Sequence, residues 1–284
     1  MYSVSVEAAA LWRKLLSAVI AKAGLAMTVI DHEAPAPLQA LWGRNDQCAV
    51  FMCGLPFARA QPQPILIAAP VPSPPEFRGR AQYWSDFVVR ADSAFQRLED
   101  TFGQRIAFTV PESQSGYAAA LSHLMAVHGD TMATSEEVPL FGEIIAPTIT
   151  PLGALTAVIQ GTAEIAPIDS YALRLLQKYR PEMTRQVRVV GHTASTSIPP
   201  LVASPLAAPA KDIAALRAAF LDAHYDAAIK VLMDSLLLQQ FVQPDPSDYA
   251  GLRERFETAT QYWQAHRVAV VTHLGFVSLH GGLH

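Results

Sequence analysis

Charge is scarce in this chain. Asp, Glu, Lys and Arg make up 16% of 284 residues, and the net charge of −4 leaves no basic footprint of the kind that nucleic-acid binding needs. Any anion site must therefore be local. Cysteine is nearly absent too: Cys48 and Cys53 stand five apart in an apolar run that reads as a strand, where odd spacing sends side chains to opposite faces and disfavours an intrachain disulfide. Two free thiols lean towards a reducing compartment, although a buried cysteine is equally at home as a small hydrophobe. The glycines never form G-x-G and no G-x-x-x-x-G-K-[ST] occurs, so nucleotide loops have little support. Ser113 and Ser115 lack the flanking glycines of a G-x-S-x-G nucleophile elbow.

Metal-ligand spacing is missing as well. Among nine histidines there is no H-E-x-x-H. His280 and His284 are spaced like helical ligands, but Gly281 and Gly282 oppose the helix. His123 and His128 are expected on the exposed side or at the end of their helix. Neither a metal nor a cofactor is expected. No basic segment precedes an apolar one at the start of the chain, so a secretory signal is not read there. The longest uncharged stretch, 144–163, could span a bilayer by length, yet it carries Pro147, Pro151 and four threonines. It reads as a loop followed by a buried helix, not as an integral membrane segment.

What is present is an alternation of short apolar runs with helical periodicity, the pattern of an α/β fold. Helical spacing over 8–23 stops at Gly24, and strands follow at 25–30, 49–52 and 65–69. The middle of the chain continues with strands at 83–90, 105–110, 164–168 and 186–191. Helices are expected at 93–102, 113–127, 152–160 and 170–179. From 201 to 210 an Ala/Pro-rich surface connection is expected, and after it mainly helix. This order divides the chain into a first segment of lobe 1 (1–90), lobe 2 (91–192) and a return segment completing lobe 1 (193–284). Two crossings between lobes make a hinge. Trp12, Trp42 and Trp263 are expected in the core, with Trp84 the exception.

Two strand-to-helix junctions carry candidate chemistry. At the first, Ser113, Ser115 and Gly116 open a helix, whose unpaired N–H groups and positive dipole end can cradle an oxyanion. At the second, Asp169 ends a strand; a carboxylate facing an anion demands a protonated ligand oxygen or a ligand ammonium group. Both patterns serve equally as N-caps of helices that bind nothing.

Four segments, 83–93, 98–108, 113–116 and 166–171, resemble in order and spacing the phosphonate/phosphite/phosphate-binding proteins of ABC importers. The resemblance is strongest over 81–203. It implies a type II periplasmic-binding-protein-like fold, two α/β lobes joined by two hinge strands, and a periplasmic transport receptor instead of an enzyme. The implied partners are a small anionic solute and an ABC permease. The family's Ser-Thr-Ser-Gly anion loop is similar to Ser113, Gln114, Ser115 and Gly116, its aspartate to Asp169, and its hinge aromatic to Tyr83. Cys53 to Phe57 looks like the opposite wall, with Gly54 allowing close backbone approach and Phe57 lining the cleft. A histidine common in phosphonate binders falls at Pro151, which cannot donate. Two other readings stay open: a cytoplasmic sensor or carrier of the same fold for a different solute, and an enzyme on this fold acting on a heterocyclic precursor.

Overall fold

The computed structural model describes residues 2–131 and 140–265, apart from the side chains of 130, 131 and 265. In chain order the strands are β1 (Val50–Phe51), β2 (Ile65–Pro72), β3 (Gln82–Tyr83), β4 (Ser85–Arg90), β5 (Arg105–Ala107), β6 (Glu143–Ile145), β7 (Ile165–Asp169), β8 (Val187–His192), β9 (Thr196–Ser197), β10 (Leu201–Ala203) and β11 (Leu238–Val242). The helices are α1 (Val6–Lys22), α2 (Leu38–Trp42), α3 (Gly54–Arg59), α4 (Ala119–Thr131), α5 (Pro151–Ile159), α6 (Ser170–Tyr179), α7 (Pro181–Thr184), α8 (Ala210–Leu221), α9 (Ala227–Ser235) and α10 (Leu252–Ala265).

Two sheets define two lobes. Lobe 1 holds the four-stranded order β1-β10-β2-β11, every neighbouring pair antiparallel. Lobe 2 holds the five-stranded order β6-β5-β7-β4-β8, in which β5 pairs in parallel with β6 and β7 while β4 runs antiparallel to β7 and β8. The chain leaves lobe 1 through β3 and returns through β9, and these two short strands pair with each other. β4 hydrogen-bonds wholly within the second sheet, so the first crossing falls at Gln82–Tyr83, ahead of residue 90.

Hydrophobic period explains most of this. β2 reads Ile-Leu-Ile-Ala-Ala-Pro-Val-Pro and is buried on both faces, as expected for an inner strand. α6 begins at Asp169, whose carboxylate accepts from the Ala172 N–H at 2.9 Å. α5 starts with Thr150 capping the Gly153 N–H at 3.0 Å and Pro151 at the first helical position, and its apolar face is buried.

Several sequence expectations are corrected. Leu201–Ala203 is not a surface connection but β10, an inner strand with all three residues buried. β11 stands in the stretch read as mainly helix, between two of the expected helices, and pairs antiparallel with β2. The helix expected over 93–102 shrinks to a single 3₁₀ turn at Leu98–Thr101. His128 is buried between α4 and α10, where its Nδ1 meets the Tyr262 hydroxyl and its ring packs against Trp263 at 5.4 Å. His123 packs beside Phe87, ring centroids 5.6 Å apart. Leu25–Ile30 has the alternating burial of a strand yet lies in neither sheet. His280 and His284 lie outside the described residues.

Candidate functional site

The first junction begins where β5 continues through Phe108 and Thr109 into the turn Glu112–Ser113. Ser113 Oγ accepts from the Gly116 N–H at 2.9 Å, and the chain enters α4 through a π-helical turn, Gln114–Ala118, in place of a regular first α-turn. Gly116 is required by contact: a Cβ there would stand 2.1 Å from Thr109 Oγ1. The loop is fixed from behind by Ser85 Oγ, which donates to the Ser115 carbonyl at 2.7 Å. Gln114 and Ser115 are buried, and the Gln114 Oε1 and Thr109 Oγ1 atoms have no hydrogen-bond partner.

Opposite the loop sits the end of β7. Asp169 is fully buried; its Oδ2 lies 3.4 Å from both Ser115 Oγ and Tyr2 Oη, each hydroxyl donating. Burial raises the Asp169 carboxyl to about 7, and the N–H groups of Ala172 and Tyr171 with the two hydroxyls limit that rise. The group is thus poised between acid and carboxylate at neutral pH. Tyr2 comes from lobe 1, with its ring edge-on to Tyr171 at 4.7 Å and to Phe51 at 5.3 Å.

The hinge aromatic Tyr83 is buried with its Oη facing the same cluster. Burial first, then Cys53 and Asp169, pushes its phenol well up; the nearby Ser115 hydroxyl opposes the shift without forming a hydrogen bond to Oη. Cys53, at the end of β1, approaches the loop from lobe 1 with the Gln114 N–H directed at its sulfur. Burial raises this thiol to about 11, so it is a neutral, unreactive group at pH 7. Both lobes therefore meet at one point: Tyr2 and Cys53 from one side, Ser115 and Asp169 from the other, Tyr83 between.

Of the residues singled out in the sequence, Ser113, Gln114, Ser115, Gly116, Asp169 and Tyr83 come together. Gly54 and Phe57 do not join them. A Cβ on Gly54 would stand 2.5 Å from Leu252 Cδ1, so its close approach is to the start of α10 and not to the cluster. Phe57 is buried in the lobe-1 core, edge-on to Tyr249 at 5.1 Å. The expectation of a cleft-lining phenylalanine thus gives way to the packing one. Sequence reasoning passed over Tyr2, Ser85 and Thr109, and took Cys53 only as the start of the turn forming the opposite wall. The only available signal was that Cys53 and Thr109 follow apolar strand residues at a carboxyl end.

A buried carboxylic acid facing a serine loop at a helix start is chemistry for holding an oxyanion that brings one proton. Comparison with known proteins bears on this directly. Residues 44–249 match the family described as ABC transporter, phosphonate, periplasmic substrate-binding protein. The chain belongs to that family. It is a family of transport receptors and not of enzymes, and its members work with a permease and ATPase. Among solved structures, the chain is similar to a binding-protein component of an ABC phosphonate transporter from Pseudomonas aeruginosa, with TM-score 0.75 and 19% identity, covering 94% of this chain and 87% of that one. A Prochlorococcus marinus protein in complex with methylphosphonate gives TM-score 0.67 and 16% identity over 89% of this chain and 92% of that one. A Xanthomonas citri protein bound to chloride gives TM-score 0.61 and 17% identity over 92% and 96%. At these identities the likeness shows the two-lobed periplasmic-binding fold. A search of curated proteins finds no match. No helix among the described residues of this phosphonate-family receptor is long and apolar enough to cross a membrane.

Proposed function

We propose that this receptor closes on a small phosphorus oxyanion, with phosphonate ahead of phosphite and phosphate, and presents it to an ABC permease on the periplasmic side of the membrane. The observation that carries the reading is the pairing of the Ser113–Gly116 loop with a buried Asp169 held near a pKa of 7. Serine hydroxyls and helix-start N–H groups donate to ligand oxygens. A protonated Asp169, or a carboxylate meeting a protonated ligand oxygen, supplies the one further hydrogen bond without placing two anions in contact. Gln114 stands where the family carries a hydroxyl and still has an amide to donate. The unpartnered Gln114 Oε1, Thr109 Oγ1 and Tyr83 Oη are polar atoms that a bound solute with donors of its own, such as an aminoalkyl group, could satisfy.

The test is thermal stabilisation and calorimetry against phosphate, phosphite, methylphosphonate, aminoethylphosphonate and a sulfonate control. A ligand at a hundredfold excess over Kd stabilises by about 2.7 kcal/mol. Ser115→Ala is expected to weaken the best ligand about tenfold or more, since a lost hydrogen bond to a charged group is worth about 1.5–3 kcal/mol, while the fold is retained. Absence of a shift with every phosphorus oxyanion would refute the ligand class.

A further inference from the structure

Two hydroxyls, one from each lobe, converge on a single oxygen of the buried acid. Tyr2 Oη from lobe 1 and Ser115 Oγ from lobe 2 both lie 3.4 Å from Asp169 Oδ2. An O–H···O bond ordinarily spans about 2.5–3.0 Å, so both hydroxyls stand off from the acid, each short of a full bond. Tyr2 is held in that position by its ring and not by its hydroxyl. It is buried, edge-on to Tyr171 at 4.7 Å and to Phe51 at 5.3 Å, and stacked on Trp12 at 6.3 Å. Trp12 and Phe51 are themselves edge-on at 5.2 Å. Aromatic pairs of this geometry stabilise beyond the area they bury, and here they fix where the phenol oxygen points. Among the described residues, Asp169 Oδ2 is the one hydrogen-bond partner of that hydroxyl.

Among the described residues, the strongest influences on Asp169 include no cation. Its titratable neighbours are Tyr2 ahead of α1, Cys53 at the end of β1, Tyr83 of β3 and Tyr171 of α6, each pushed up by burial first and neutral at pH 7. α5, packed against β7, carries no ionisable side chain. On β4, Ser85 stands opposite Asp169 in the ladder, and Asp86 turns to the other face beside Arg174. Glu112 of the anion loop is taken up by Gln39. The protonation of Asp169 is therefore governed by burial and by neutral donors, namely the N–H groups of Ala172 and Tyr171 and the two hydroxyls. Of these donors, Tyr2 alone comes from lobe 1.

We propose that Tyr2 is a specificity-determining positioning residue: its hydroxyl, delivered to Asp169 only when the lobes are together, sets whether that side chain meets the solute as acid or as carboxylate. A hydroxyl donating to a carboxyl oxygen stabilises the charged form. With Tyr2 in place, Asp169 is divided between its two forms near neutrality; without that hydroxyl it keeps its proton to higher pH. The two forms select different solutes. The acid donates to an unprotonated oxygen and so admits a doubly charged oxyanion, whereas the carboxylate accepts only from a solute oxygen that keeps its own proton. Tyr2 thereby biases the receptor towards singly charged oxyanions. This selection rests on the oxyanion reading of the site; the contact between Tyr2 and Asp169 does not.

Tyr2→Phe keeps the ring and removes the hydroxyl. Two quantities are read in it and in the unaltered protein. One is the midpoint of the Asp169 carboxyl in a carbon-13 NMR titration of the solute-free protein, assigned against Asp169→Asn; the other is the pH at which methylphosphonate affinity, by calorimetry, has fallen about tenfold. Both are expected to move up by about half a unit in Tyr2→Phe, and the titration of methylphosphonate itself, common to both proteins, cancels. 3-Fluorotyrosine at position 2, a stronger donor of nearly the same shape, is expected to move both down. A merely structural role gives no such reversal. An Asp169 midpoint that is the same in all three proteins would overturn the proposal, and so would a midpoint that moves while the affinity profile stays put. Failure of every phosphorus oxyanion to bind the unaltered protein would instead sink the ligand reading and the selection built on it, and the Asp169 midpoints would then decide the contact by themselves. Should Tyr2→Phe not fold, the downward shift with 3-fluorotyrosine carries the decision, and its absence counts against Tyr2.

Discussion

Asp169 links stability to pH with a definite sign. Its carboxyl is raised from 3.8 to about 7, so between those values the folded protein holds a proton that the unfolded chain has released. The contribution is fully present below pH 3.8, declines as pH rises, and is gone above 7. At about 1.4 kcal/mol per unit, the total is roughly 4 kcal/mol. The ligand-free protein is thus expected to be more stable at pH 5 than at pH 8, and Asp169→Asn to flatten that slope in chemical denaturation. The same proton governs capture: affinity for methylphosphonate should fall from pH 7 to pH 9, and the asparagine variant should lose that dependence. An equal pH profile in both proteins would leave Asp169 as a helix cap only.

At the scale of elements, the anion loop is held by one contact that leaves no room. A Cβ on Gly116 meets Thr109 Oγ1 at 2.1 Å and its methyl at 2.8 Å, so Gly116→Ala is expected to destabilise by about 1–3 kcal/mol. Thr109→Ala in the same chain should recover most of the loss in urea denaturation; additive losses would show that the strain lies elsewhere. This loop and Asp169 were legible in the sequence because strand-to-helix junctions announce themselves through local cap residues. Tyr2 was not, since its meeting with Asp169 is made across 167 positions of the chain, and Cys53 was read only as the start of a wall, without its approach to Gln114. β10 was missed for a related reason: three residues carry no period, and only pairing between β1 and β2 makes them a strand. Residues 25–30 were read as a strand following the stop at Gly24 and keep a strand's alternating burial, but a strand is completed only by a neighbour, and they pair with none. Phe57 misled because an aromatic after a turn looks the same whether it faces a cleft or the Tyr249 ring.

The whole molecule is tied together at more than its hinge. The largest buried apolar cluster runs without a break from α1, α8 and α9 of lobe 1 into α5 and α6 of lobe 2. Tyr171 Oη donates to the Leu236 carbonyl at 2.6 Å, and Lys178 Nζ to the Ser235 carbonyl at 2.7 Å, pinning α6 to the end of α9. On the far side α10 packs against α4 of lobe 2 and α3 of lobe 1; Trp263 Nε1 donates to the Leu121 carbonyl at 3.1 Å, and Arg59 lies over the Phe256 ring at 4.7 Å. Trp263→Ala is expected to cost about 3–5 kcal/mol and to loosen the α4–α10 face, read as faster amide exchange in α4; unchanged exchange would show that α10 does not brace lobe 2. The bracing by α10 has a kinetic corollary. If the lobes must part before a solute can reach Asp169, parting is a unimolecular event with its own clock. Stopped-flow capture rates should climb with solute concentration and then level off at a ceiling, and Trp263→Ala should lift that ceiling while leaving the initial slope per unit of open protein alone. Traffic through this receptor would then be metered by the helix that straps it shut, whatever the abundance of its cargo.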